Sequence, residues 1–296
     1  MSVAPPRPYT LQSQDPNTRK PSWNMPAGSC DCHAHVFGPQ TRFPYLPNAS
    51  YIPHDATPED YARMLTTIGC ERAVLVQPSV YGTDNSCMTA ALRSGVFAFR
   101  GVAVVDADVS DKELKDLHDA GVRGIRINLA SETPGLTLEH APGLAARIKP
   151  MGWHLQFFMD LRKLADAEAK LGGLDIDIVV DHFGHVNADD GADAPAFQTL
   201  LRLLKRDNVW AKLIGPYFLS KNAPKYPKVT PLARAVVAAA PDRVVWGTDW
   251  PHPAVTRQGV AMPNDGDLAD LVLEWIPDEA LRKKVLADNP ARLYRF

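Results

Sequence analysis

Beyond residue 30 the chain alternates two textures. Short apolar runs, such as Ala73-Val74-Leu75-Val76 and Ile176-Asp177-Ile178-Val179-Val180, are β-branched and almost uninterrupted. A strand covered on both faces reads this way, because neither face meets water; parallel sheets packed between helices are built from such strands. Between the runs lie amphipathic stretches at 57–68, 111–119, 161–171, 194–205 and 232–239. Thr57-Pro58-Glu59-Asp60 offers an N-cap, a proline at the first helical position and two acids in the first turn, which satisfy the free amides and the dipole of a helix start. Gly69 and Gly121 follow helical runs where a left-handed C-cap is expected. Strands are predicted at 30–36, 73–77, 99–105, 124–128, 154–158, 176–181, 209–213 and 243–247. Eight strands, each followed by a helix, make a (β/α)8 TIM barrel the expected fold, with an open doubly wound sheet as the alternative.

Length and composition agree. At 296 residues the chain can hold one barrel of typically ~250, and no Gly/Ser-rich or charged break divides it. Residues 27–296 are therefore predicted to form one α/β barrel domain. Residues 1–26, with Pro5, Pro6, Pro8, Pro16, Pro21 and Pro26, read as an extended arm lying on the barrel or on a neighbouring subunit; a homo-oligomer is left open. Hydrophobic residues at 45% and charged residues at 22% are ordinary for a globular protein. A formal charge of −2 gives no general attraction to nucleic acid or to an acidic membrane surface. The apolar runs fall short of the ~20 residues that cross a bilayer. Cys30, Cys32, Cys70 and Cys87 are too sparse for a disulfide scaffold and lack the spacing of a zinc knuckle. The arm has no apolar core of a secretory signal, so a cytoplasmic location is expected.

The chemistry concentrates at predicted strand ends. Asp31-Cys32-His33-Ala34-His35 lies on the first strand. Residues two apart on a strand face the same side, so both imidazoles can enter one cavity. There they can hold a divalent ion or polarise a carbonyl oxygen. Alone, a His-x-His is short enough to arise by chance on a surface strand. His182, however, ends the sixth strand and Asp249 the eighth, and ionisable residues just past apolar strands are what the C-terminal rim of a barrel offers for catalysis. Singly, His182 could be a satisfied core histidine and Asp249 a helix cap; four such residues together argue against coincidence. Arg126 and Asn128 alternate on the fourth strand, so both can face the interior. A guanidinium there would clamp a substrate carboxylate; the competing reading of Arg126 is an ion pair within the barrel. Ser79 and Tyr81 follow the second strand, and His185, Trp250 and His252 lie beside the ends of the sixth and eighth, as further candidates for substrate contact.

These positions resemble the amidohydrolase superfamily, and more narrowly the branch that includes the 2-pyrone-4,6-dicarboxylate lactonases. Segments 31–38, 74–85, 121–128, 179–184, 244–253 and the tail 289–294 carry the likeness, so it spans nearly the whole chain after the arm. The resemblance implies a hydrolase that opens a small cyclic ester. Asp249 would take a proton from the attacking water and return it to the leaving oxygen. His33, His35 and His182 would polarise the carbonyl directly, or join Asp249 in holding one divalent ion, zinc first among the choices. Metal-free and mononuclear catalysis both stay open; no lysine or glutamate ends the fourth strand to bridge two ions. Tyr51 resembles a substrate-contacting tyrosine of the branch. Where the branch uses several arginines, this chain has Glu132, Phe158, His185 and Phe218, which implies a more aromatic pocket and a lactone with one carboxylate or another anionic group. The alternatives are a zinc-dependent decarboxylase, a lactone isomerase, or a non-catalytic barrel that binds a sugar or aromatic acid. Decarboxylases of this superfamily are longer in their loops, and a binding protein would lose the His-x-His or Asp249.

Overall fold

Each predicted apolar run becomes a strand of one sheet. In the computed structural model, which describes residues 8–130, 135–164 and 166–296, the strands are β1 (Cys30–Ala34), β2 (Arg72–Val76), β3 (Ala98–Ala103) and β4 (Val122–Asn128). Four more follow: β5 (His154–Phe158), β6 (Ile178–Val180), β7 (Val209–Leu213) and β8 (Val244–Trp246). All pair in parallel and in chain order. Helices α1 (Pro58–Ile68), α2 (Ser86–Arg93), α3 (Asp111–Ala120) and α4 (Ala141–Ile148) pack outside the first half. Helices α5 (Ala167–Gly172), α6 (Pro195–Leu204), α7 (Val229–Ala239) and α8 (Asp265–Trp275) cover the second. This is the expected TIM barrel, with α1 started by the Thr57–Asp60 capping box and ended at Gly69.

One predicted helix is shorter than its pattern suggested. Only α5 forms within 161–171, because Asp160 draws the preceding residues into a turn. Its carbonyl accepts from the Lys163 and Leu164 amides, and its carboxylate accepts the Arg162 amide at 3.0 Å. The bond from Leu164 is one that a helix also makes; the hold of the carboxylate on the Arg162 amide is the local bond that competes with it.

The barrel interior is filled by Cys30, Cys32, Val74, Val76, Val102, Val179, Trp210 and Val245, closed below by Leu293 and Tyr294 of the C-terminal helix. Asn289 fastens that helix by donating to the Pro241 and Val244 carbonyls at 3.0 and 2.8 Å. All four cysteines are buried and free. Among the described residues, no helix is long and apolar enough to cross a membrane. The arm lies on the barrel from residue 8 onward. Tyr9–Thr10 pairs with Tyr51–Ile52, Gln12 N donates to Thr256 Oγ1 at 2.9 Å, and Arg19 reaches Asp267 and Asp270 at 2.6 and 2.5 Å. Pro5, Pro6 and Glu132 lie outside the described residues.

The edge strands meet just beyond β8. Asp249 N donates to His33 O at 2.9 Å and His35 N to Trp250 O at 2.7 Å. The buried Asp31 carboxylate fastens this seam, accepting Thr248 N at 2.9 Å, Thr248 Oγ1 at 2.5 Å and His33 N at 3.2 Å. Gly247 lets the backbones approach: a Cβ there would sit 2.7 Å from His33 N and 2.8 Å from Asp31 Oδ1. The register shifts between Asp31 and Ala34, a bulge that turns the successive residues Cys32 and His33 both toward the interior. Removing the clasp orphans two buried amides, each costing about 1–3 kcal/mol. Asp31→Ala is therefore expected to lower the unfolding free energy by about 2–6 kcal/mol in urea titration; a loss below about 1 kcal/mol would show that the seam closes without it.

Candidate active site

Two strained turns aim the reactive groups inward. Asp249 has φ 69, and His182, Phe183 and His185 have φ 48, 53 and 55. Left-handed backbone costs a residue with a Cβ roughly 1–2 kcal/mol, and it persists where surrounding bonds over-determine it. Asp249 is held by the seam on one side and by His252 N, which donates to Asp249 O at 2.7 Å, on the other. The turn after β6 is tied by Gly184 N to Asp181 O at 2.8 Å and by Leu161 N to Gly184 O at 2.9 Å.

At the centre, Asp249 Oδ1 lies 3.5 Å from both His33 Nε2 and His35 Nε2, while Oδ2 accepts the Tyr217 hydroxyl. The His33 ring is 5.1 Å from that of His35 and 5.2 Å from that of His182. One ligand atom each from His33, His182 and Asp249 fall within 4.8 Å of one another. His35 Nδ1 stands 2.7 Å from Val76 O. A carbonyl only accepts, so Nδ1 carries a hydrogen and Nε2 is the ring nitrogen turned toward Asp249.

Burial governs the charges. It disfavours the imidazolium, lowering His33 to about 3 and His185 to about 4, and pushing His182 well below its ordinary value. Burial acts on the Asp249 carboxyl in the opposite sense, but His182, His35 and His33 outweigh it and hold the group well below the usual carboxylate range. At neutral pH the Asp249 carboxylate is thus ionised, and His33, His182 and His185 are uncharged.

A second polar layer lies beneath. Asp181 Oδ2 accepts Arg126 Nε at 3.2 Å and Gln156 Nε2 at 2.9 Å. Its Oδ1 is 3.5 Å from His33 Nδ1 and 3.7 Å from Lys212 Nζ. Above, a cavity of about 580 Å³ opens to solvent. His35, His182 and Asp249 face it, with Ser79, Tyr51, Arg126 and Asn128 on its wall and Phe158, His185 and Phe218 as an aromatic patch. Burial pushes the Tyr51 hydroxyl up to about 12, so it stays a hydrogen-bond donor.

A family model described as Amidohydrolase matches residues 30–296. The chain belongs to the amidohydrolase family. It is 39% identical to the 2-pyrone-4,6-dicarboxylate hydrolase of Comamonas testosteroni, over 94% of this chain and 93% of that one. Identity is also 39% to the 4-sulfomuconolactone hydrolase of Hydrogenophaga intermedia, over 91% and 89%. A ligand-free structure from Agrobacterium tumefaciens aligns with a TM-score of 0.80 at 29% identity, covering 93% of this chain and 98% of that one.

In this amidohydrolase His33, His35, His182 and Asp249 meet. His35, His182 and Asp249 line the cavity with Arg126, Asn128, Ser79, Tyr51 and His185, whereas His33 is fully buried and does not line it. Arg126 pairs with Asp181 and also faces the cavity. Tyr81, Trp250 and His252 do not line it. A tight turn folds Tyr81 inward, where its hydroxyl accepts Gly38 N at 2.9 Å. Trp250, one residue past Asp249, points the other way and stacks on Tyr61 of α1 at 4.9 Å. His252 Nε2 is 3.1 Å from Asp265 Oδ1, and its Nδ1 is 3.4 Å from the Tyr217 hydroxyl. All three are buried supports for the residues that do face the cavity.

Sequence reasoning missed Tyr217, Asp181 and Lys212. Asp181 and Lys212 were legible as charges set against apolar strands, the latter in Val209-Trp210-Ala211-Lys212-Leu213. Tyr217 carried no comparable sign; a turn led by Gly215 delivers it.

Because burial lowers these imidazoles, they take up protons only in acid. In pH-resolved NMR, His33, His182 and His185 are expected to show no titration near the ordinary histidine value of about 6.5. A midpoint there for any of the three would contradict the neutral cluster.

Proposed function

We propose that this amidohydrolase opens the ring of a small lactone carrying a carboxylate or a similar anionic group. The observation that carries the proposal is an ionised carboxylate, Asp249, set 3.5 Å from two imidazoles in a cavity that also holds a guanidinium. The names of its relatives, a 2-pyrone-4,6-dicarboxylate hydrolase and a 4-sulfomuconolactone hydrolase, support that substrate class. Arg126 spends Nε on Asp181, leaving its terminal nitrogens to grip an anion in a fork. Ser79, Tyr51 and Asn128 add neutral donors on the same cavity wall. The aromatic patch of Phe158, His185 and Phe218 suits the flat ring, and Arg162, Lys163 and Arg257 on the cavity wall add further cations for an anionic substituent.

The mechanism follows from the hydrogen positions. Asp249 Oδ1 and His35 Nε2 are both acceptors, 3.5 Å apart, and a water between them satisfies both with its two hydrogens. As the water oxygen attacks the lactone carbonyl carbon, its proton passes to Asp249. The carbonyl oxygen becomes an oxyanion facing His182 on the cavity wall, where pre-placed dipoles in a buried site stabilise it most. The tetrahedral intermediate collapses by breaking the ring C–O bond, and Asp249 returns the proton to the departing oxygen. One water is consumed, and the open-chain hydroxy or keto acid leaves. Tyr217, donating to Asp249 Oδ2, keeps Oδ1 aimed at the water.

The donor set also fits one divalent ion. His33 Nε2 and His182 Nδ1 are buried without hydrogen-bond partners, and with Asp249 they fall within the 4.8 Å span that a zinc-sized ion can bridge. Such an ion would supply a Lewis acid for the carbonyl. Four free buried cysteines suit the reducing cytoplasm, where we place the enzyme.

A panel of anionic lactones with a pH indicator tests the reading: hydrolysis releases acid, decarboxylation releases carbon dioxide, and isomerisation neither. Asp249→Asn is expected to reduce kcat by about 10²–10⁴ with the fold intact; retention of most activity would remove the proposed base. Arg126→Met is expected to raise KM roughly 10–100-fold, and an unchanged KM would count against the carboxylate clamp.

A further inference from the structure

Lys212 is a charged residue that the reaction does not use, fully buried in the middle of β7. Its Nζ lies 2.9 Å from Cys32 O, 3.4 Å from His33 Nδ1 and 3.7 Å from Asp181 Oδ1, with the Tyr294 ring 5.8 Å away on another side. A carbonyl, a carboxylate, an imidazole nitrogen and an aromatic face surround it. Those neighbours suit an ammonium, which has three hydrogens to donate and nothing to accept with.

The position of the His33 hydrogen follows from counting donors and acceptors. Suppose it sits on Nδ1 and points to Asp181 Oδ1, 3.5 Å away. One ammonium hydrogen then confronts an N–H across 3.4 Å. That is a like-against-like contact between fully buried groups, and a buried charged donor that loses an acceptor is costly. Suppose instead that the hydrogen sits on Nε2. The ammonium then donates to Cys32 O and His33 Nδ1, with Asp181 Oδ1 as its ion-pair partner at 3.7 Å, and the His33 N–H faces Asp249 Oδ1 across 3.5 Å. Each contact then sets unlike charges or a donor and an acceptor against one another.

We propose that Lys212 is a positioning residue that fixes the tautomer of His33, so that the ring presents an N–H rather than a lone pair to Asp249. The placement of the hydrogen stands on geometry alone; its effect on rate rests on the lactonase reading above. Two consequences follow. His33 steadies the ionised Asp249 with an N–H, complementing His35, whose free lone pair receives a hydrogen of the attacking water. A divalent ion would need the same His33 lone pair, so Lys212 works against metal binding.

The test is the ¹⁵N spectrum of the histidine rings in the chelator-treated full-length protein, with His33 assigned by its loss in His33→Gln. Wild type is expected to carry its hydrogen on Nε2; a hydrogen on Nδ1 would overturn the proposal, whatever the substrate proves to be. In Lys212→Met the hydrogen is expected to move to Nδ1, zinc to bind more tightly by isothermal titration, and kcat to fall roughly 10–100-fold with KM little changed. An unaltered tautomer in a folded Lys212→Met protein would also overturn it. Should that variant fail to fold, the wild-type spectrum decides alone. Should no lactone be turned over, the spectrum and the zinc titration still decide it.

Discussion

The structure depends on one clasp, the grip of the Asp31 carboxylate on Thr248. Seven of the barrel's strand pairings are ordinary ladders; the eighth junction is made by a side chain and a few backbone contacts past the end of β8. That is where His33, His35 and Asp249 meet. Closing the seam threads Asp249 between His33 and His35, and the absence of a side chain at Gly247 allows the approach. The bulge at the same point turns His33 inward directly after Cys32. Closure, bulge and catalytic convergence are one local event.

The electrostatics are built on that geometry. Three imidazoles are kept neutral by burial while one carboxylate in their midst stays ionised. Environments that push titratable groups apart in this way sort them into acid–base roles. Beneath, the charges of Arg126 and Lys212 meet that of Asp181, so the layer supporting the site draws on β1, β4, β5, β6 and β7 through His33, Arg126, Gln156, Asp181 and Lys212. A buried carboxylate with so many partners resists displacement, because loss of any one leaves a charge uncompensated. The rings above it inherit that rigidity.

Much of this was legible in the sequence because parallel barrel strands are apolar on both faces, and a polar residue at the end of one is conspicuous. His33, His35, His182, Asp249 and Arg126 stood out for that reason. Tyr81, Trp250 and His252 stood out equally but face away from the cavity, since the turns past a strand end do not keep the alternation that places strand residues. The bulge was invisible, because it adds a residue without altering the residue types. Tyr217 arrives by tertiary packing from a neighbouring loop, and no local pattern announces that. The helix expected across 161–171 shows the same limit: its apolar spacing was helical, but the Asp160 carboxylate takes up the Arg162 amide.

The most direct measurement of the account is a crystal structure of the wild-type enzyme with a ring-opened product bound. The newly formed carboxylate should rest against His182, with one oxygen within hydrogen-bond reach of Asp249 Oδ1, while the substrate's own anionic group lies on Arg126. A product bound elsewhere in the cavity, or an Asp249 side chain turned away from it, would contradict the account.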